Sequence, residues 1–273
     1  MEEIYLPKVI LAKLVRKEKL KENIIKFGIE AREIINDIKP GQFIEIKVED
    51  NTELFLRRPI SIYNVDEENG ILEFIFRIQG EGTEILAKKE VGDIIDIIGP
   101  LGYGTFKYEE YKNIAILGGG IGVFPLYELA KRARKNSKVY TYLGFRDEES
   151  ILLEEEFKKV SDELTITVDN VGAGLAPAQR IKGFAIDILR QELESKNIDC
   201  IFACGPLIML KFVQKLAKEK NIPCQISLEE KMGCGFGVCL GCAVSVGASF
   251  HTRPQYEHVC KQGPVFNASK VEL

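Results

Sequence analysis

Four cysteines toward the end of the chain limit its possible folds more than any other feature. Cys234, Cys239 and Cys242 form a C-x4-C-x2-C run, and Cys260 follows 17 residues later. Gly235, Gly237 and Gly241 lie between them, so the backbone can curl tightly and turn several sulfurs and amide N–H groups toward one centre. Three cysteines from one loop and a fourth from a later element is the plant-type 2Fe-2S spacing. A structural zinc site usually shows two separated C-x2-C pairs, and this sequence has one. Disulfides suit a secreted chain, whereas Met1-Glu2-Glu3-Ile4 does not resemble a signal peptide. Cys200, Cys204 and Cys224 lie singly in apolar surroundings and read as core residues, with a second reading open for Cys204.

At 273 residues there is room for two domains and a small third. Lys plus Arg total 37 against 41 for Asp plus Glu, a net charge of −4, which excludes a basic footprint for nucleic acid. No stretch approaches the roughly 18 apolar residues of a membrane span. The expectation is a soluble cytoplasmic protein.

Residues 1–107 read as short strands separated by turns. Phe43 to Val48 and Ile71 to Arg77 alternate or nearly alternate, and Lys39-Pro40-Gly41, Glu68-Asn69-Gly70 and Val91-Gly92-Asp93 punctuate them. About six strands and one helix from Glu81 predict a small antiparallel β-barrel. Two stretches in it suit phosphate. Arg57-Arg58-Pro59-Ile60-Ser61 brings a guanidinium and a hydroxyl to the start of a strand. Ile75-Phe76-Arg77 then runs through Gly80 into a helix whose first turn holds Gly82 and Thr83. Together they point to a dinucleotide such as FAD.

From 108 to 222 the pattern becomes alternating strand and helix, which predicts an α/β doubly wound parallel sheet. The apolar run Asn113 to Leu117 leads into Gly118-Gly119-Gly120-Ile121-Gly122-Val123, where a pyrophosphate would sit; Val123 takes the place of the last glycine of G-x-G-x-x-G. Cys204-Gly205-Pro206 closes a later strand at the same carboxyl edge, and Cys204 is either a core residue or a neighbour of a nicotinamide ring. Arg146 and Asp147 favour opposite answers on NADP against NAD. Asn170 to Arg180 reads as a loop, and Gly247 to Tyr256 as a hairpin-like excursion. Residues 223–273 read as a small C-terminal cluster domain, with His251 and His258 at its surface.

The order Arg58-Pro59-Ile60-Ser61, Ile75-Phe76-Arg77, Gly82-Thr83, Gly118 to Gly122, Cys204-Gly205-Pro206 and the four cysteines resembles a ferredoxin-reductase-type FAD/NAD module with a C-terminal 2Fe-2S domain. Ser227 to Cys242 and Val259 to Phe266 are similar, more narrowly, to the electron-transfer subunits of NAD-linked (type B) dihydroorotate dehydrogenases. The resemblance implies that Arg58 to Ser61, Ile75 to Arg77, Gly82 and Thr83 hold FAD. It implies that Gly118, Gly119, Gly120, Gly122, Cys204 and Gly205 present NAD as co-substrate, and that Cys234, Cys239, Cys242 and Cys260 ligate the cluster. It also implies a partner: an FMN-containing catalytic subunit in a heterotetramer of two of each, feeding electrons through the cluster and FAD to NAD in pyrimidine (UMP) biosynthesis. No catalytic base for dihydroorotate is apparent in this chain.

Two rivals stay open. One is a flavin/2Fe-2S subunit of an NAD(P)H:ferredoxin or sulfide oxidoreductase. The other is a zinc-stapled nucleotide-binding module without a redox role.

Overall fold

The computed structural model describes residues 7–48, 54–169, 180–247 and 255–273. These residues form two compact units, the first built on residues up to Thr105 with 229–244 and 256–264, and the second on the remainder.

The first unit is a closed barrel. Its strands are β1 (Lys8–Lys21), β2 (Ile24–Glu30), β3 (Phe43–Ile46), β4 (Arg58–Asp66), β5 (Ile71–Arg77) and β6 (Ile94–Leu101), joined in the order β1-β2-β5-β4-β3-β6. Neighbours are antiparallel, and β2 runs fully in register with β5 from Ile24 opposite Arg77 to Glu30 opposite Ile71. The β-branched and aromatic residues that favour strands here also fill the interior. Phe27 meets Phe74 and Phe76 edge to face at 5.7 and 5.2 Å, and each buried ring contributes roughly 1.5–3 kcal/mol of hydrophobic stabilisation. One helix, α1 (Glu81–Ala87), follows β5. All four residues of β3 are buried, including Glu45, although alternation predicts that Glu45 faces solvent.

The second unit is a seven-stranded sheet. In chain order it contains β7 (Asn113–Gly119), α2 (Phe124–Ala133), β8 (Lys138–Phe145), α3 (Glu154–Val160), β9 (Glu163–Val168), β10 (Arg180–Lys182), α4 (Ala185–Glu192), β11 (Cys200–Cys204), α5 (Leu207–Lys220) and β12 (Cys224–Ser227). The strand order is β10-β9-β8-β7-β11-β12, closed at one edge by a later strand, Val265–Asn267, which pairs antiparallel with β12. Progress along the sheet reverses between β7 and β11, which makes the carboxyl ends of these two strands the switch point where α/β sheets bind ligands.

Two details depart from the sequence reading. The breaker-rich 170–180 segment ends in a strand, β10, paired parallel to β9; residues 170–179 lie outside the described residues. The stretch 223–273 also contributes two strands to the α/β sheet. Cys224, Ile226 and Ser227 are buried, so Pro223 opens a strand there. Between them lie β13 (Ala243–Val246) and β14 (Gln255–His258), a two-stranded sheet, and the Val265–Asn267 strand is β15. Most of the expected 247–256 excursion, His251 included, lies outside the described residues.

Candidate cofactor and cluster sites

The two arginines at the start of β4 have different surroundings. Arg57 is committed to the barrel: its Nη2 lies 2.8 Å from Asp96 Oδ1, and its Nη1 donates to the carbonyls of Asp96 at 3.2 Å and Glu45 at 3.5 Å. Arg58 donates to the Leu56 carbonyl and lays its guanidinium across the first turn of α1. A Cβ built on Gly82 would stand 2.6 Å from both Arg58 Nε and Nη2, so glycine at 82 leaves the fork room beside the helix start. Arg58, Pro59, Ile60 and Ser61 are all half-buried, as residues lining a groove are. An open cavity of about 400 Å³ adjoins them, walled by Leu54 to Pro59 and by Glu230 to Met232.

Other expected flavin residues play more local parts. Thr83 Oγ1 accepts from the Gln79 and Gly80 amides at 2.9 and 3.2 Å and donates to the Gly80 carbonyl at 2.8 Å, and the Thr83 amide donates to that same carbonyl. Its groups are spent shaping the turn. Ile75 and Phe76 are buried in the barrel, and Arg77 is exposed.

In the second unit, Gly118 and Cys204 stand opposite each other on β7 and β11. The loops beyond them touch through backbone: a Cβ on Gly122 would lie 2.5 Å from Gly205 Cα and 2.6 Å from the Cys204 carbonyl oxygen. Only glycine permits this approach. A Cβ on Gly119 would lie 2.8 Å from Met209 Sδ and 2.9 Å from Pro206 Cδ. Gly120 has φ +55 and open space where a side chain would be, so a ligand can come down onto bare backbone there. Cys204 is 1% exposed, which makes its side chain part of the core. Both carboxylate oxygens of Asp147 are engaged, one by the Ser150 amide and one by Arg146 Nε, each at 2.9 Å.

The cysteine loop is organised by its own amides. Cys234 Sγ accepts from the backbone N–H of Val238 at 3.3 Å and of Cys239 at 3.5 Å, while Cys242 Sγ accepts from the Cys260 amide at 3.4 Å. Gly235 and Gly237, at φ +78 and +83, supply the left-handed turns. Burial opposes ionisation of Cys234, but the amides of Cys239, Phe236 and Val238 outweigh it and hold the thiol down at about 6. Burial and the neighbouring Cys242 push Cys260 up to about 12. Backbone amides thus meet Cys234 Sγ from within the loop, and the Cys260 amide ties Cys260 to Cys242. Among the described residues no three His, Cys, Asp or Glu side chains converge as a single metal ion requires.

Three family models match successive parts of the chain. Residues 11–108 match the oxidoreductase FAD-binding domain, 116–215 the oxidoreductase NAD-binding domain, and 229–272 the iron–sulfur cluster binding domain of dihydroorotate dehydrogenase B. The dihydroorotate dehydrogenase B (NAD(+)) electron transfer subunit of Bacillus mycoides is 37% identical over 266 residues, covering 95% of this chain and 97% of the relative. Its counterpart in Bacillus anthracis matches to the same extent. The chain belongs to the dihydroorotate dehydrogenase B electron transfer subunit family.

Among solved structures, an NADH-dependent reduced ferredoxin-NADP oxidoreductase superposes with a TM-score of 0.83 at 30% identity, covering 96% of this chain and 90% of that one. The cytochrome b5 reductase domain of Ulva prolifera nitrate reductase, at TM-score 0.62 and 20% identity over 79% of this chain, shares the fold. The FAD-binding, NAD-binding and iron–sulfur cluster binding domains are all present in this one chain. No helix among the described residues is long and apolar enough to cross a membrane.

One residue that sequence reasoning passed over sits against the family's cluster segment. Glu45 is 1% exposed, and burial, with a smaller contribution from Cys234, pushes its carboxyl up to about 7 against the opposing charge of Arg57. His258, expected at the surface, is half-buried, with its Nδ1 enclosed and unpartnered among the described residues.

Proposed function

We propose that this chain passes electrons between NAD and an FMN-bearing catalytic subunit that oxidises dihydroorotate, within pyrimidine (UMP) biosynthesis. The observation that carries the reading is the cysteine loop whose amides point at Cys234 Sγ and whose Cys242 meets the Cys260 amide, in a segment matching the iron–sulfur cluster binding domain of dihydroorotate dehydrogenase B and in a chain that also matches the FAD-binding and NAD-binding domains. Nicotinamide exchanges two electrons as hydride while a 2Fe-2S cluster carries one at a time, and bound FAD supplies the conversion between them.

The chain's own residues bind and orient. Arg58 presents a forked guanidinium to a phosphate, with Pro59, Ile60 and Ser61 beside it and the turn at Gly82 and Thr83 holding the fork in place. Ile75, Phe76 and Arg77 form the adjoining end of β5. Gly118, Gly119, Gly120 and Gly122 offer bare backbone to a pyrophosphate, and Cys204-Gly205 closes the loop from below. Cys234, Cys239, Cys242 and Cys260 supply the thiolates. Overall, dihydroorotate gives up two electrons and two protons, NAD takes both electrons and one proton, and one proton is released.

Phe236, Val238 and Leu240 on the cluster loop are 49%, 72% and 60% exposed, and Phe55 is 72% exposed. Apolar groups at this density around a redox centre suit a docking face. We assign it to the catalytic subunit, in a heterotetramer of two of each.

An anaerobic preparation assayed for flavin, iron and sulfide, then combined with the catalytic subunit, tests the reading. One FAD with about two irons and two sulfides per chain, and NAD reduction that depends on dihydroorotate, is the expected result. Zinc without flavin or sulfide would overturn it. The 30% identity to the ferredoxin-NADP oxidoreductase structure supports a second reading, in which ferredoxin replaces the catalytic subunit; efficient ferredoxin reduction by NADH with no coupling to dihydroorotate would favour it.

A further inference from the structure

Glu45 is a buried carboxylic acid with no hydrogen-bond partner among the described residues. Both of its oxygens are enclosed, a costly arrangement if nothing else fills it. The nearby guanidinium of Arg57 does not relieve it, because that group pairs with Asp96 and reaches only the backbone carbonyl of Glu45.

The side chain instead points under the cysteine loop. A Cβ on Gly235 would stand 2.6 Å from Glu45 Cγ and 2.7 Å from Oε1. Gly235 directly follows the cluster ligand Cys234. The loop has closed its backbone over the acid with no room for a side chain between them. What it would add there is an electron-rich sulfur shell, an acceptor suited to a carboxyl O–H.

We propose that Glu45 is a positioning residue of the iron–sulfur site, its carboxyl hydrogen-bonding the sulfur shell of the bound cluster from beneath Gly235. The proposal rests on the cluster reading above. Hydrogen bonds to cluster sulfurs favour the reduced, more negative form and so raise the reduction potential.

The test compares the full chain with Glu45→Gln and Glu45→Leu, each reconstituted anaerobically and assayed for iron and sulfide. The cluster potential is then titrated with electron paramagnetic resonance as the readout. Glu45→Leu is expected to hold its cluster at a lower potential, with the reduced-to-oxidised ratio at a fixed potential down about tenfold, or 59 mV for one electron, and with altered g values. Glu45→Gln keeps the shape and an N–H donor, and should stay near wild type. A Glu45→Leu chain that loses its cluster beside a fully loaded Glu45→Gln also supports the role. Unchanged potential and g values in Glu45→Leu would overturn it, as would loss of the cluster from Glu45→Gln. Absence of iron and sulfide from the wild-type chain would instead overturn the electron-transfer reading.

Discussion

The guanidinium of Arg58 fills the space that any side chain at residue 82 would take, with Nε and Nη2 each 2.6 Å from the Cβ position of Gly82. Gly82→Ala therefore has to push the fork away from the helix start. Overpacking of this kind costs about 1–3 kcal/mol, and if the loss falls on phosphate binding, FAD affinity drops roughly tenfold per 1.4 kcal/mol. Fluorescence titration of the deflavinated chain with FAD measures it. An unchanged dissociation constant would show that Arg58 does not meet the flavin.

Arg57 and Arg58 should separate stability from cofactor binding. Arg57→Ala removes the Asp96 ion pair, whose side chains are only 20% and 23% exposed, and leaves Asp96 without its cation. A loss of about 1–3 kcal/mol is expected, seen as a lower melting temperature with the flavin-to-protein ratio unaltered. Arg58→Ala should do the reverse, keeping the melting temperature of the deflavinated chain while emptying it of FAD.

Gly122 meets backbone on its crowded side, and backbone cannot step aside as a flexible side chain can. Gly122→Ala should prise the Gly118–Gly122 loop from Cys204-Gly205, raising KM for NADH in a ferricyanide assay at least tenfold and lowering the melting temperature by several degrees. Gly120→Ala makes a useful contrast. Its Cβ meets nothing within 4 Å, so its cost is the φ of +55 and whatever pyrophosphate contact it obstructs.

Burial of Glu45 makes the cluster-free chain sensitive to pH. Its carboxyl titrates near 7 when folded, against an ordinary value of 4.5. Below 4.5 both folded and unfolded chains carry the proton. Between 4.5 and 7 only the unfolded chain releases it, so stability falls as pH rises, by about 3 kcal/mol at most, and levels off above 7. Urea unfolding of the reduced, cluster-free chain at pH 5 and pH 8 should show wild type losing ground relative to Glu45→Gln. Parallel behaviour of the two chains would mean that Glu45 is solvated.

The barrel and the α/β sheet were legible because period two and alternating strand–helix patterns report which face of each element is buried, and the Asn113 to Gly122 run marks its switch point by composition alone. Glu45 was not legible. In Phe43-Ile44-Glu45-Ile46 the alternation assigns it outward, but β3 is covered on both faces, one of them by a loop nearly two hundred residues further along. The local part Thr83 plays was not legible for a related reason: a hydroxyl at a helix start serves a ligand or its own turn equally well, and only the structure shows its three local hydrogen bonds. The distinction between Arg57 and Arg58 depends on Asp96, which no local pattern could supply.

The chain leaves the α/β sheet after Ser227 on β12 and returns to it at Val265 on β15, and these two strands are hydrogen-bonded partners. The iron–sulfur segment is thus threaded between two stitches in one fabric, and is not hung from a terminal tether. Cutting the gene at residue 223 would strip both stitches and bare the flank of β11, whose buried Ile201, Phe202 and Ala203 would become an adhesive edge. A donor segment transplanted from a relative would need its seams at 228 and 265, where the weave already closes.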